Sequence, residues 1–231
     1  VNLINLAIKY NIECFVYASS AAIYGHTDVK CRESDTPRPA DPYGVAKYAV
    51  EMDLKTAHEM FGLNYIIYRM HNVYGPRQNL MDRYRNVAGI FMRQVIQNEP
   101  ITIFGDGSVK RAFSDIKYYM QPMEGVINDF NGEVFNVGSD RVHTLLEAAN
   151  TLIWVAESFG YKPEIKFLEA RKEVKEAYVN HDKAKQMLNF NDETDLSKTM
   201  AEMFKWAMNQ PNREVIQMPY EINKSIYTFW K

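Results

Sequence analysis

The chain has 231 residues, 46% hydrophobic and 24% charged, and 27 basic against 29 acidic side chains leave a net charge of -2. That supplies a sizeable core in one domain or two closely joined ones, and it excludes a broad basic surface for nucleic acid. Two cysteines (Cys14, Cys31) are too few for a disulfide scaffold, the five histidines lack metal-ligand spacing and no apolar run reaches a membrane span, so a cytoplasmic, reduced, metal-free protein is expected.

The chain opens at Val1 inside an apolar pattern, with Leu3, Ile4, Leu6, Ala7 and Tyr10 at helical spacing. A helix with no cap or lead-in predicts that an N-terminal part is missing. Residues 14–18 form a nearly continuous apolar run, the pattern of a strand buried on both faces of a parallel sheet. They run straight into Ser19-Ser20-Ala21-Ala22-Ile23-Tyr24-Gly25. Residues 26–42 are polar and carry Pro37, Pro39 and Pro42, which predicts a surface loop. Apolar residues return at helical period from Gly44 to Met60, with Gly62 as C-cap. Residues 63–68 read as a second buried strand, ending at Arg69-Met70-His71-Asn72. This strand, loop, helix, strand order implies a parallel sheet with covering helices.

After Gly75-Pro76 the pattern predicts a helix over 86–98 and a strand over 101–104 that ends in Gly105-Asp106-Gly107. A strand over 134–137, a helix over 145–158, a strand over 164–168 and helices over 182–188 and 196–209 follow; the tail from Gln210 shows no period.

Tyr43 and Lys47 stand four apart at the start of a helix, which puts both side chains on one face. An ammonium beside a phenol favours the phenolate, but moving a tyrosine from about 10 to neutrality needs about 4 kcal/mol, large for one cation. A positively charged cofactor ring nearby would supply the rest, and such a tyrosine serves as acid or base on an alcohol or ketone. Taken alone, the pair reads as a solvated helix face. The strand before it delivers Ser19 and Ser20 to its C-terminal end, where open parallel sheets bind ligands. A serine there reaches the same oxygen as the tyrosine.

These residues resemble the extended short-chain dehydrogenases/reductases, and within them the NAD-dependent nucleotide-sugar epimerases and dehydratases. Residues 15–25 are similar to the family's serine segment, Asp41-Pro-Tyr-Gly-Val-Ala-Lys47 to its Tyr/Lys segment, Arg69 to Arg77 to its nucleotide-sugar loop, and Ile103 to Ser114 to the segment with a diphosphate-binding arginine. The resemblance covers about residues 1–208. It implies an α/β fold: the C-terminal part of a Rossmann-type parallel sheet with helices on both faces, plus a smaller mixed α/β substrate-binding domain. Residues 1–75 would belong to a partial NAD-binding domain and 76–231 mainly to the sugar-nucleotide domain, with some segments returning to the sheet. It further implies Ser20, Tyr43 and Lys47 as catalytic residues, and Ser19, Tyr43, Lys47 and Met70 on the NAD side. Ser20, Asn72, Arg77, Arg111 and Arg171 would bind substrate. Planar guanidinium groups suit a diphosphate, while any single arginine is equally a surface ion pair, and Asn72 equally a capped strand end.

Dehydratases of this family carry an Asp-Glu pair beside the hydroxyl residue, where this chain has Ala21 and Ala22, which transfer no protons. The expectation is therefore a UDP-hexose 4-epimerase working through a 4-keto sugar, with another NAD-dependent nucleotide-sugar activity (dehydratase, reductase, decarboxylase) or a non-catalytic sugar-nucleotide-binding fragment as alternatives. A homodimer through the helix at 44–61 is expected, with no nucleic-acid or membrane partner. The glycine-rich pyrophosphate loop of the family is missing: the one Gly-x-Gly is Gly105-Asp-Gly107, and Lys110 stands where a third glycine would fall. Without that segment, an exposed sheet edge is expected.

Overall fold

A computed structural model describes residues 1–27, 29–81, 86–125, 130–170, 176–177 and 179–211. The N-terminal elements are α1 (Asn2–Lys9), β1 (Phe15–Ser20), a 3-10 turn (Ala21–Tyr24), α2 (Pro42–Phe61), β2 (Tyr65–Met70) and β3 (Val73–Tyr74). Next come α3 (Val87–Ile96), β4 (Ile101–Phe104), β5 (Lys110–Ala112), β6 (Ser114–Asp115), α4 (Lys117–Gly125) and β7 (Glu133–Val137). The remainder is β8 (Val142–Thr144), α5 (Leu145–Glu157), β9 (Ile165–Leu168), β10 (Glu176–Ala177), α6 (Asp182–Leu188) and α7 (Leu196–Ala207).

β2 is the middle strand of a parallel sheet in the order β1-β2-β7. Because side chains alternate across a strand, its apolar run serves two layers. Tyr65 and Ile67 pack with Ile4 and Ala7 of α1 and with Leu54 and Ala57 of α2. Ile66 and Tyr68 turn the other way, onto Phe135 and Val137 of β7, Tyr119 of α4, Ala184 of α6 and Phe190. Leu54 and Ile66 are fully buried, and each such side chain contributes about 1.5–3 kcal/mol. The register aligns Ser20, Met70 and Val137 on one rung at the C-terminal edge of the sheet. A second core joins α3, α5 and α7 with β4 around Phe91, Met92, Leu152, Met203 and Phe204.

Several expectations are corrected. The first strand does not end at Ala18: β1 runs on to Ser20, and its apolar residues are half-buried with Ala18 exposed, because β1 is the edge strand of its sheet among the described residues. Pro42 belongs to α2, not to the loop, since proline suits the first helical turn behind an Asp41 cap. On α2 the buried positions are Gly44, Glu51, Leu54 and Ala57, while Val45, Met52 and Met60 are exposed. The short strands β3, β5, β6, β8 and β10 have two or three residues and so no readable period. Helix α4 was hidden by Pro122 within it.

Candidate active site

The site is built where α2 begins. Asp41 caps the helix by accepting the Gly44 N–H at 2.6 Å, and the left-handed Gly62 closes it. Gly44 lies against the turn that follows Ser20: a Cβ there would stand 2.7 Å from the Ala22 carbonyl oxygen. Only a residue without a side chain allows this approach, and it sets Tyr43 beside the Ser20 strand end.

Lys47 lies one helical turn beyond Tyr43. Its Nζ donates to the Ala18 carbonyl at 2.6 Å and stands 5.1 Å from the Tyr17 ring centroid and 5.7 Å from that of Tyr43. Partial burial lowers the lysine pKa, and the two ring faces attract the ammonium. The tyrosines differ. Burial, helped by Glu51 and Tyr43, pushes the Tyr17 phenol up to about 12, so it stays neutral. Tyr43 is 56% exposed and open to a ligand.

Ser20 is half-buried and extended, and its Oγ accepts the Ala22 N–H at 3.2 Å. Ser19 points to the opposite face, where its hydroxyl donates to Glu51. Glu51 in turn holds Arg69 at 2.8 Å, both nearly solvent-free. Arg69 donates to the Tyr24 hydroxyl at 2.7 Å, Tyr24 donates to Asn136 Oδ1 at 2.8 Å, and the Asn136 N–H reaches Glu33 Oε1 at 2.7 Å. This network ties β1, α2, β2 and β7 together behind the Ser20 end. Sequence reasoning missed it, although a signal existed: Glu51 falls on the helical stripe of Leu54 and Ala57, a carboxylate where an apolar residue belongs.

The other expected site residues spread along the sheet edge and beyond it. Met70 ends β2 beside Ser20, half-buried. Asn72 has φ +41 and its carbonyl accepts the Ser114 N–H at 3.2 Å. Arg77 is exposed with φ +72. Arg111 lies on β5, between β8 and β10, half-buried, with its guanidinium donating to the Lys110 carbonyl at 2.8 Å. Arg171 lies outside the described residues. The structure thus brings Ser20, Tyr43, Lys47 and Met70 to one edge and turns the Ser19 side chain inward.

Two hydroxyls and an ammonium at a parallel-sheet edge suit the nicotinamide-ribose end of a dinucleotide. The pyrophosphate end has no matching glycine-rich strand-to-helix turn among the described residues, and α2 starts with a carboxylate instead. No metal-holding group of acidic, histidine or cysteine side chains occurs among the described residues, and none of their helices is long and apolar enough to cross a membrane.

A UDP-glucuronate 4-epimerase of Thermodesulfobacterium geofontis is 27% identical over 229 residues, 94% of this chain and 65% of that protein. Among solved structures, the UDP-glucose 4-epimerase of Thermotoga maritima with UDP-glucose superposes with a TM-score of 0.78 at 31% identity, over 88% of this chain and 66% of that one. The UDP-N-acetylglucosamine 4-epimerase of Methanobrevibacter ruminantium, in complex with UDP-N-acetylmuramic acid, gives 0.80 at 28% identity, over 89% and 66%. The chain spans less than two thirds of the length of each. The family model for the NAD dependent epimerase/dehydratase family matches residues 1–138, more than half of the chain. The chain belongs to that family.

Proposed function

We propose that this chain carries the acid/base centre of an NAD-dependent nucleotide-sugar epimerase acting at C4 of a UDP-hexose. One observation carries the reading: the Gly44 approach to Ala22 sets the Ser20 hydroxyl, the Tyr43 phenol and the Lys47 ammonium around one corner of the sheet edge. The names of the relatives support the substrate class and the cofactor.

When bound, NAD supplies the reversible hydride acceptor that inversion at C4 needs. Tyr43 takes the proton of the C4 hydroxyl and returns it after the sugar, a 4-ketose in passing, has turned over. Ser20 donates a hydrogen bond to the same oxygen and steadies its developing charge. Lys47 holds the nicotinamide ribose and Met70 flanks it on the cofactor side, while the Ser19 hydroxyl, turned inward to Glu51, braces the strand end behind them. Asn72, Arg77, Arg111 and Arg171 bind the nucleotide-sugar, the arginines as charged forks for its diphosphate. Ala21 and Ala22 beside Ser20 supply no proton donor for eliminating water, which disfavours a dehydratase.

The dividing line of the two domains falls near residue 75, with β7 and α6 returning to the first sheet. The exposed apolar side chains of α2 (Val45, Met52, Met60) support a homodimer through this helix. A second reading is nucleotide-sugar binding without turnover, which needs the arginines but not Tyr43 with Lys47. A panel of UDP-sugars, incubated with the protein and NAD+ and followed by product analysis, separates them. The epimerase reading expects a C4 epimer, and binding with no product from any sugar favours the second reading.

A further inference from the structure

Behind the substrate-loop residue Asn72 lies a buried pair of histidines. His71, between Met70 and Asn72, is 5% exposed, and His181, just before α6, is 1% exposed. Their Nε2 atoms stand 3.1 Å apart. His71 Nδ1 faces the Ala112 carbonyl at 3.2 Å, and His181 Nδ1 faces Asp140 Oδ1 at 3.1 Å. Room for the pair comes from Gly138, where a Cβ would stand 2.3 Å from His71 Nε2.

Counting donors fixes the protons. A backbone carbonyl only accepts, so His71 Nδ1 carries a hydrogen. Lys185 and His181 hold the Asp140 carboxyl far below the usual carboxylate range, so it is ionised and only accepts, and His181 Nδ1 carries a hydrogen too. With both outer nitrogens protonated, two neutral rings would set bare lone pairs against each other at 3.1 Å. A third proton resolves this.

We infer that His71 and His181 share three ring protons, so that the pair is a buried cation held by Asp140, and that its bond to His71 positions the left-handed Asn72 of the substrate loop. The inference deepens the reading of Asn72 as a nucleotide-sugar contact and rests on it for its functional meaning. Burial pushes His71 down to about 3, while Asp140 Oδ1 lies against the His181 ring at 3.1 Å. The charges facing the pair are Asp140 after β7, Lys185 of α6 through Asp140, and Asp192 after α6. His71 joins directly to Asn72, which takes a left-handed φ of +41 and whose carbonyl accepts the Ser114 N–H at 3.2 Å, so a shift of the His71 ring is passed to it through one peptide bond.

The test is nitrogen-15 NMR of the imidazole rings, with the Asn72 amide followed through the same pH series, in the wild-type chain and in Asp140→Asn. Asp140→Asn keeps the size of the side chain but lets its amide donate to a neutral His181. The expected result is one ring with both nitrogens protonated and one Nδ1–H ring in the wild type, two neutral rings in the variant, and an Asn72 resonance that moves with the loss of the extra proton in the wild type alone. Two neutral wild-type rings at pH 6, or an Asn72 amide that ignores the titration, overturn the inference. UDP-glucose affinity is the second arm: losing one charge-assisted hydrogen bond predicts about tenfold weaker binding at high pH in the wild type and a flat profile in Asp140→Asn. Absence of UDP-glucose binding at every pH with the ring protons as expected sinks the substrate reading of Asn72 and leaves the proton count standing; a flat wild-type profile with binding intact overturns the coupling to the loop.

Discussion

The Ser20–Tyr43–Lys47 corner and the His71–His181 pair sit at the ends of neighbouring strands, yet they hold polar groups in opposite ways. In the corner, Tyr43 is 56% exposed and its hydroxyl has room for a ligand. In the pair, each ring nitrogen already faces a partner, and solvent reaches 5% or less of either residue. The same contrast separates Tyr43 from Tyr17 on either side of Lys47. Groups that do chemistry are left open at the edge, and satisfied polar groups behind them fix the geometry. Buried polar networks are suited to that task because leaving one member unpaired costs so much.

The largest expected effect that sharpens this contrast comes from breaking the network behind the corner. Glu51→Ala leaves Arg69 as an uncompensated buried charge and should destabilise the protein by about 3–5 kcal/mol in denaturant titrations. A change at Tyr43 should leave stability within about 0.5 kcal/mol, as expected of an exposed side chain. Equal losses from both would break the comparison.

The next effect is acid sensitivity. His71 falls from 6.5 to about 3 on folding, so below pH 6.5 the unfolded chain takes up a proton that the folded one refuses. The stability is present above pH 6.5 and is lost as pH falls toward 3. Between pH 6.5 and 5 the loss should be about 1.5 kcal/mol in denaturant midpoints, and His71→Gln should abolish that slope.

The smallest expected effect is Gly44→Ala. Alanine favours the helix by about 1 kcal/mol, but its Cβ meets the Ala22 carbonyl at 2.7 Å. The net change in melting should be a loss of about 1 kcal/mol, with a disproportionate loss of turnover because Tyr43 and Ser20 are pushed apart. Improved stability with unchanged turnover would show that the two segments do not need this contact.

Much of this was legible in the sequence, for identifiable reasons. β2 and the helices α5, α6 and α7 follow from apolar spacing, which burial against a core enforces. Tyr43 and Lys47 follow from four-residue spacing at a helix start. Facing was less legible: Val45 and Met52 look like core positions, and the exposed stripe they form differs from the buried one only in what surrounds it. Pairings across long separations left no local trace. Nothing near His71 announces His181, 110 residues away, and although Glu51 and Arg69 each stand out as a charge among apolar neighbours, neither names its partner. Arg111 was read from a motif, and its place between β8 and β10 depends on pairings too short to carry a period.

The account rests on an exposed phenol, a neighbouring ammonium and a strand-end hydroxyl acting on one sugar oxygen. Conversion of UDP-glucose to its C4 epimer, measured in the presence of NAD+ for the wild type and Tyr43→Phe, tests it most directly. The predicted result is a 100- to 10,000-fold fall in kcat, roughly the range for loss of a general acid or base, with UDP-glucose affinity within about threefold as suits a group acting in the transition state. Near-normal turnover in Tyr43→Phe would contradict the assignment.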